Sequence, residues 1–333
     1  MNDFELTYRL QDSEKNQLSE IFKGLETNPY KDFLGFTREV IAACDSSDFP
    51  SSFRGAIEDQ KFNYTPTKPY CFIENCPEEI NPPVLPYENY NTEIKAELKK
   101  YFISEAFLIM FSHVTKMPIL RYKNVNGGDP ISDLHPLKKL QNEQSQKALK
   151  DVFYHNDLAN HYARPNFINI FCIRNSLKNK IYTTLTKNID LVRALDPDVL
   201  AVLRQPLFFT PHDVLTTYGG SSIDLGKAPN HPIFVNDNYT KLFETRTKGI
   251  TSEAEEALDI FIKLLYEKTL KAHLTPGTFF SLHNDLTIHA RIVEKVTDKN
   301  ELKNRWLIKT LSCYSMDQYY RFINDFSNPI IEG

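Results

Sequence analysis

The 333-residue sequence contains no long apolar run, no basic tract and no glycine-rich phosphate loop. Its longest apolar run, residues 106–111, is far shorter than the roughly 20 residues that a membrane-spanning helix needs. The first residues carry neither a basic segment nor an apolar segment, so we predict no signal peptide and no membrane partner. Basic residues number 39 and acidic residues 43, and the resulting net charge of −4 argues against a nucleic-acid partner.

Cysteine is also scarce, and its pattern is informative. The five cysteines are scattered along the chain: Cys44, Cys71, Cys76, Cys172 and Cys313. An odd, scattered set argues against a disulfide framework and for a reducing compartment. Cys71 and Cys76 have the wrong spacing for a zinc knuckle. We therefore expect ordinary thiols in a cytoplasmic protein.

The order of the helical and strand-like patterns predicts the fold class. Helical periodicity comes first, in residues 12–25, 37–44 and 91–114, and one later helix starts at a capping box formed by Ser252 and Glu255. Strand-like segments fill much of the rest: 71–73, 120–122, 167–174, 181–186, 206–209, 232–235, 278–282 and 306–314. The absence of βαβ alternation argues against a doubly wound nucleotide-binding fold. We predict one mainly β domain with flanking helices, either a sandwich or a jelly roll.

Two histidine-containing segments stand out from the isolated histidines. His155 and Asp157 are two residues apart, so on an extended segment they point to the same side and can hold one metal ion. A later segment offers His283 and His289 as a third ligand. Two imidazoles and one carboxylate form the facial triad of non-haem Fe(II) oxygenases, which keeps positions open for a co-substrate and oxygen. A zinc hydrolase with the same ligands remains an alternative.

A basic residue follows this segment. Arg305 begins a predicted strand 16 residues after His289. It could bind a dicarboxylate with two parallel hydrogen bonds, or it could form a surface salt bridge.

Several motifs in order resemble the clavaminate-synthase-like (TauD-type) branch of the Fe(II)/2-oxoglutarate-dependent oxygenases, in which amino-acid hydroxylases are common. The resemblance covers roughly residues 10–320. Its motifs are His155-Asn156-Asp157, the Arg-Pro and apolar strand at 164–174, the Pro-Gly strand from 276, Ile288-His289-Ala290-Arg291 and Asn304-Arg305-Trp306-Leu307.

The resemblance implies a role for each matching residue. It makes His155, Asp157 and His289 the iron ligands, and it favours His289 over His283. Arg305 would bind the distal carboxylate of 2-oxoglutarate, and Thr183 would help to hold that co-substrate. The implied cofactors are Fe(II), 2-oxoglutarate and O2.

Several positions depart from the family pattern. Asp157 replaces the usual glutamate and Ala290 a glycine. Asn236 and Asn238 stand where basic-amino-acid hydroxylases of this branch have an acidic pair, and Asn126 falls near another acidic position. We therefore expect these three asparagines to contact a neutral or acidic substrate.

Together these features predict a double-stranded β-helix, a cupin-like jelly roll, in a single oxygenase domain spanning 1–333. Residues 1–116 would form a helical and irregular part and 117–320 the jelly-roll core, with a lid and helix insert at about 210–274. The expected reaction is hydroxylation of an unactivated C–H bond of a free L-amino acid or close derivative, with release of succinate and CO2. Alternatives are a desaturase or cyclase of the same family and a non-catalytic cupin-like binding protein.

Overall fold

The computed structural model describes residues 4–59, 61–89, 92–212 and 227–332. Nine helices lie within these ranges: α1 (Asp12–Lys23), α2 (Phe33–Asp45), α3 (Ser51–Glu58), α4 (Thr92–Leu98), α5 (Ile103–Val114), α6 (Asn188–Ala194), α7 (Pro197–Leu203), α8 (Ser252–Glu267) and α9 (Lys299–Lys303). No helix in the described ranges combines the length and the apolar character needed to cross a membrane.

Fifteen strands, several of them very short, lie in the same ranges. The first eight are β1 (Tyr8–Arg9), β2 (Tyr70–Glu74), β3 (Ile119–Leu120), β4 (Ser132–Leu134), β5 (Val152–His155), β6 (Phe167–Arg174), β7 (Lys180–Lys187) and β8 (Phe208–Phe209). The others are β9 (Phe234–Asn236), β10 (Tyr239–Thr240), β11 (Lys248–Gly249), β12 (Leu270–Ala272), β13 (Phe279–His283), β14 (Thr287–Lys295) and β15 (Trp306–Ser312).

Most strands belong to two sheets. The larger has the order β1-β2-β13-β6-β15-β3, with β4 also paired to β15, and the smaller has the order β12-β7-β14-β5. All of these pairings are antiparallel except the parallel pair β1 and β2. Consecutive strands β6 and β7 lie in different sheets, and the polar turn between them carries the chain from one sheet to the other.

Three apolar clusters arrange the sheets and helices in layers. Between the sheets, Ile168 and Leu307 of the large sheet pack in one cluster with Leu185 of the small sheet. The other face of the large sheet packs on α1, α2, α3 and α5. The outer face of the small sheet packs on α6, α7 and α8 through Ile288 and Ala290. Side chains alternate along a strand, so His289 and Arg291 of β14 point away from Ile288 and Ala290 and face the space between the sheets.

The strands predicted at 167–174 and 181–186 are confirmed as β6 and β7. The single helix predicted over 91–114 is wrong, because α4 and α5 are separated at residues 99–102. Lys99 lies in this break and is buried between Glu79, at 2.7 Å, and Glu105, at 2.5 Å. Lys95, Lys99 and Glu105 are buried, whereas Glu93 and Glu97 of α4 are exposed. Residues 103–112 of α5 are all buried.

The region around the late helix differs in detail from its prediction. Thr251, and not Ser252, caps α8, and its Oγ1 accepts a hydrogen bond from the Ala254 amide at 3.1 Å. The helix ends at Glu267, and β12 begins at Leu270. The predicted insert at 210–274 contains β9, β10, β11, α8 and β12. Its residues 213–226 lie outside the described residues, and the lid within the insert stays a prediction.

Candidate metal and co-substrate site

Two adjacent strands of the small sheet bring the predicted metal ligands together. His155 ends β5, and His289 on β14 lies directly opposite it in the antiparallel register. Their imidazole rings have centroids 4.3 Å apart. Asp157 follows two residues after the end of β5, and one ligand atom from each of the three residues lies within 4.8 Å of the others. The structure thus brings His289 together with two residues that lie far from it in the sequence.

A hydrogen bond orients the His155 imidazole toward Asp157. His155 Nδ1 lies 2.8 Å from the Phe153 carbonyl, so this nitrogen carries the proton and Nε2 keeps a lone pair. His155 Nε2 lies 3.3 Å from Asp157 Oδ1, and His289 Nε2 lies 3.8 Å from the same oxygen. Two imidazole nitrogens and one carboxylate oxygen therefore converge, and this is a donor set that divalent iron accepts.

The segment carrying Asp157 is held by two buried asparagines that the sequence analysis did not select. Asn284, in the turn between β13 and β14, accepts from the Asp157 amide and donates to the Asp157 carbonyl, both at 2.9 Å. Asn156 donates to the Asn284 carbonyl at 2.8 Å. A sequence signal for this role was available. Each of the two ligand segments contains an asparagine, and an asparagine side chain can form hydrogen bonds with the backbone groups of a turn.

The charges around the triad favour its metal-binding protonation states. Lys309 on β15 donates to Asp157 Oδ2 at 2.7 Å. Burial raises the pKa of Asp157, but Lys309 and the two imidazoles outweigh burial and hold that pKa well below its usual range. Burial, followed by the proximity of His155, lowers the pKa of His289 well below its usual value. An ionised carboxylate and a neutral imidazole are the forms that bind metal.

Arg305 is a buried cation with unused hydrogen-bond donors. The residue is 3% exposed, and its Nε and Nη1 atoms have no hydrogen-bond partner among the described residues. Burial lowers the pKa of Arg305 to about 10. The surface salt bridge considered for this residue is therefore wrong. A buried guanidinium without a carboxylate is costly, so these donors fit an anionic ligand.

The strand register places Thr183 on the same face as the triad. Thr183 on β7 lies opposite Arg291 of β14, two residues after His289. Cross-strand partners share a face, so all three side chains are directed toward the large sheet. Arg291, which sequence reasoning missed, donates to three backbone carbonyls, those of Gln146, Ala148 and Lys150. The co-substrate role of Thr183 stays a prediction.

The other candidate ligand, His283, lies elsewhere. Its Nε2 is 2.9 Å from the Tyr314 hydroxyl, and its ring packs against Phe167. Burial lowers the pKa of His283 to about 4. The compact group in the described chain that could hold a metal ion contains His289 and not His283.

Among the described residues, no hydrogen bond links Asn236 or Asn238 to the triad. Asn236 and Asn238 are exposed in the turn between β9 and β10, where Asn236 Oδ1 accepts from the Asn238 amide at 2.9 Å. Asp237 between them pairs with Arg204. Asn126 begins the short 3-10 turn Asn126–Gly128, and its side chain lies outside the described residues. Substrate contacts by these asparagines remain predictions without support from the site's geometry.

Comparisons with known proteins give a curated relative and similar solved structures, but no family model. No protein-family model matches the chain. A curated relative, the L-lysine 3-hydroxylase of Catenulispora acidiphila, is 23% identical over 181 residues. That match covers 53% of this chain and 50% of the relative, so the chain spans about half the length of the curated relative that it matches.

Solved structures resemble the chain over nearly its whole length. Asparagine oxygenase with Fe(II), 3-hydroxyasparagine and succinate has a TM-score of 0.82 at 17% identity, covering 98% of this chain and 99% of that one. The non-heme iron oxygenase OrfP with Fe and alpha-ketoglutaric acid has a TM-score of 0.78 at 16% identity, and the match covers 97% of this chain and 98% of OrfP. The chain therefore has the sheet-rich fold of these oxygenases, and the resemblance predicted from the motifs is confirmed.

Proposed function

We propose that this protein is an Fe(II)- and 2-oxoglutarate-dependent oxygenase that hydroxylates an unactivated C–H bond of a free L-amino acid or a close derivative. One observation carries the proposal: a converging His-Asp-His group occurs in the same layered fold as a buried arginine, two of whose donors have no partner among the described residues. Among the similar structures, asparagine oxygenase contains Fe(II) with 3-hydroxyasparagine, and the non-heme iron oxygenase OrfP contains Fe with L-Arg. A binding protein without turnover has no need to retain both features.

Each group has a distinct role in this proposal. His155, Asp157 and His289 hold the iron, which supplies the oxidative chemistry when bound. Arg305 binds the distal carboxylate of 2-oxoglutarate, and Thr183 supports the same co-substrate. In the overall reaction, O2 delivers one oxygen atom to the substrate and one to succinate, while 2-oxoglutarate loses CO2. The apolar walls between the sheets keep water away from the reacting groups.

The finer architecture follows from the same arrangement. We propose that residues 1–333 form one oxygenase domain whose facing antiparallel sheets are a double-stranded β-helix, a distorted jelly roll. All five cysteines are buried and unpaired, which fits a reducing, cytoplasmic setting.

The test measures succinate. The purified protein is incubated with 2-oxoglutarate, O2 and each of the twenty amino acids, with Fe(II) or Zn(II) in parallel. We expect substrate-dependent succinate with Fe(II) only, and a product heavier than its substrate by one oxygen atom. A product lighter by two hydrogen atoms would identify a desaturase or cyclase instead. Hydrolysis supported by Zn(II), or no turnover of 2-oxoglutarate, would refute the proposal.

A further inference from the structure

Lys309 is an unusual residue for its place in the fold. Its neighbours on the same face of β15, Leu307 and Leu311, are buried in the apolar cluster between the sheets. The Lys309 side chain is only 11% exposed, and among the described residues its ammonium pairs with Asp157 alone. Moving an ammonium group out of water costs several kcal/mol unless a close partner compensates it. The position of this charge therefore needs a functional reason.

The two oxygens of Asp157 have different surroundings. Oδ1 faces the imidazoles, at 3.3 Å from His155 Nε2 and 3.8 Å from His289 Nε2. Oδ2 accepts a hydrogen bond from Lys309 at 2.7 Å. One oxygen is thus presented with the other metal ligands, while its twin is held by a fixed cation.

We propose that Lys309 is a positioning residue that reserves Asp157 Oδ2 and so limits this carboxylate to binding metal through Oδ1. The purpose of this limit rests on the proposed oxygenase function. A facial triad is useful for oxygenation because it leaves coordination positions open. A carboxylate that used both oxygens would take one of the positions that the co-substrate and O2 require.

This arrangement has a cost that can be measured. An ammonium group beside the metal ligands repels a divalent cation, and in the protein interior that repulsion is weakly screened. Lys309 therefore lowers the metal affinity that the same three ligands would otherwise have. A residue that only supported the fold would have the opposite effect, since its loss would loosen the ligands and weaken metal binding.

The test compares metal binding in wild type, Lys309→Met and Lys309→Arg. Methionine keeps the length and apolar stem but removes the charge, whereas arginine keeps the charge. Mn(II) titrations followed by electron paramagnetic resonance, without 2-oxoglutarate, give the affinities. We expect Lys309→Met to bind Mn(II) at least about tenfold more tightly than wild type. This gain corresponds to only a small part of the repulsion between like charges a few ångströms apart. Lys309→Arg should stay near wild type.

A matched control is available in a second buried lysine–aspartate pair. Lys95 donates to Asp133 at 2.6 Å and is fully buried, on α4 rather than at the triad. Lys95→Met removes the same kind of pair and should leave Mn(II) affinity unchanged. Equal or weaker Mn(II) binding in Lys309→Met would overturn the proposal.

Crystal structures of the Mn(II)-loaded proteins provide the second readout. We expect Asp157 Oδ2 on Lys309 in wild type and on the metal in Lys309→Met. An Oδ2 that stays off the metal in Lys309→Met would also overturn the proposal. Neither measurement involves turnover, so a wild type that binds Mn(II) but forms no succinate would refute the oxygenase function separately.

Discussion

Asn284 and Asp157 hold each other through two hydrogen bonds of 2.9 Å that run in opposite directions between the Asn284 amide side chain and the Asp157 backbone. Asn284 belongs to the turn that leads into β14, the strand that carries His289. The carboxylate ligand, which lies beyond the end of β5, is therefore fixed to the strand that supplies the second imidazole. This link makes the triad a property of the fold rather than of one flexible loop.

Asn284→Ala should weaken metal binding by about 10- to 100-fold, as is typical when a group that orients a ligand is lost. The reason is that both hydrogen bonds to the Asp157 segment disappear. Mn(II) titration gives the affinity. Asn169→Ala is the matched control, because Asn169 is equally buried but donates to Ser312 at 3.0 Å within the large sheet. Equal losses of metal affinity in both variants would show a general effect on folding instead.

The ligand assignment predicts a sharp contrast between two histidines. His289→Ala, like His155→Ala and Asp157→Ala, should lose bound iron and form no succinate, because each removes one of three protein ligands. His283→Ala should keep its iron, because the His283 ring lies beside Tyr314. Iron content after anaerobic loading distinguishes the variants. Iron retained in His289→Ala and lost in His283→Ala would reverse the assignment.

Arg305→Leu should weaken co-substrate binding and stabilise the protein at the same time. A hydrogen-bonded charge pair contributes about 1.5–3 kcal/mol, so the KM for 2-oxoglutarate should rise at least about tenfold. Iron content should not change. Removing a buried guanidinium with unpaired donors should raise the unfolding midpoint measured without co-substrate. An unchanged KM would show that Arg305 does not bind 2-oxoglutarate.

The sequence was sufficient for features that depend on local pattern. Alternation and apolar runs predict β6 and β7, and the spacing of His155 and Asp157 predicts a shared side. Motif order then selects His289 from two nearby histidines. In each case the informative residues are close in sequence or are marked by a motif whose chemistry needs them.

Features that depend on distant partners could not be predicted. The burial of Lys99 could not be predicted, because no pattern shows that Glu79 and Glu105 meet it inside the protein. Asn236 and Asn238 were assigned to the substrate by position in a motif, although nothing local indicates whether that turn faces the site or solvent. Lys309 was overlooked because one lysine in a strand usually indicates an exposed edge.

The last prediction concerns acid sensitivity. Burial lowers the pKa of His283 from its ordinary 6.5 to about 4 in the folded protein. The unfolded chain therefore binds a proton at this residue near pH 6.5, whereas the folded chain does so only near pH 4. The contribution of His283 to the free energy of unfolding is fully present above pH 6.5 and is lost as the pH falls toward 4. The loss should reach about 2 kcal/mol at about pH 5.

His283→Gln cannot take up this proton and keeps a polar partner for Tyr314, so it should lose less stability than wild type on acidification. Urea unfolding at about pH 7 and about pH 5 gives the two free energies, and the drop should be smaller in the variant by about 2 kcal/mol. Other buried histidines, such as His231, also have a pKa lowered by burial, so some acid sensitivity remains in the variant. An identical drop in both proteins would mean that the His283 imidazole is accessible to protons in the folded state.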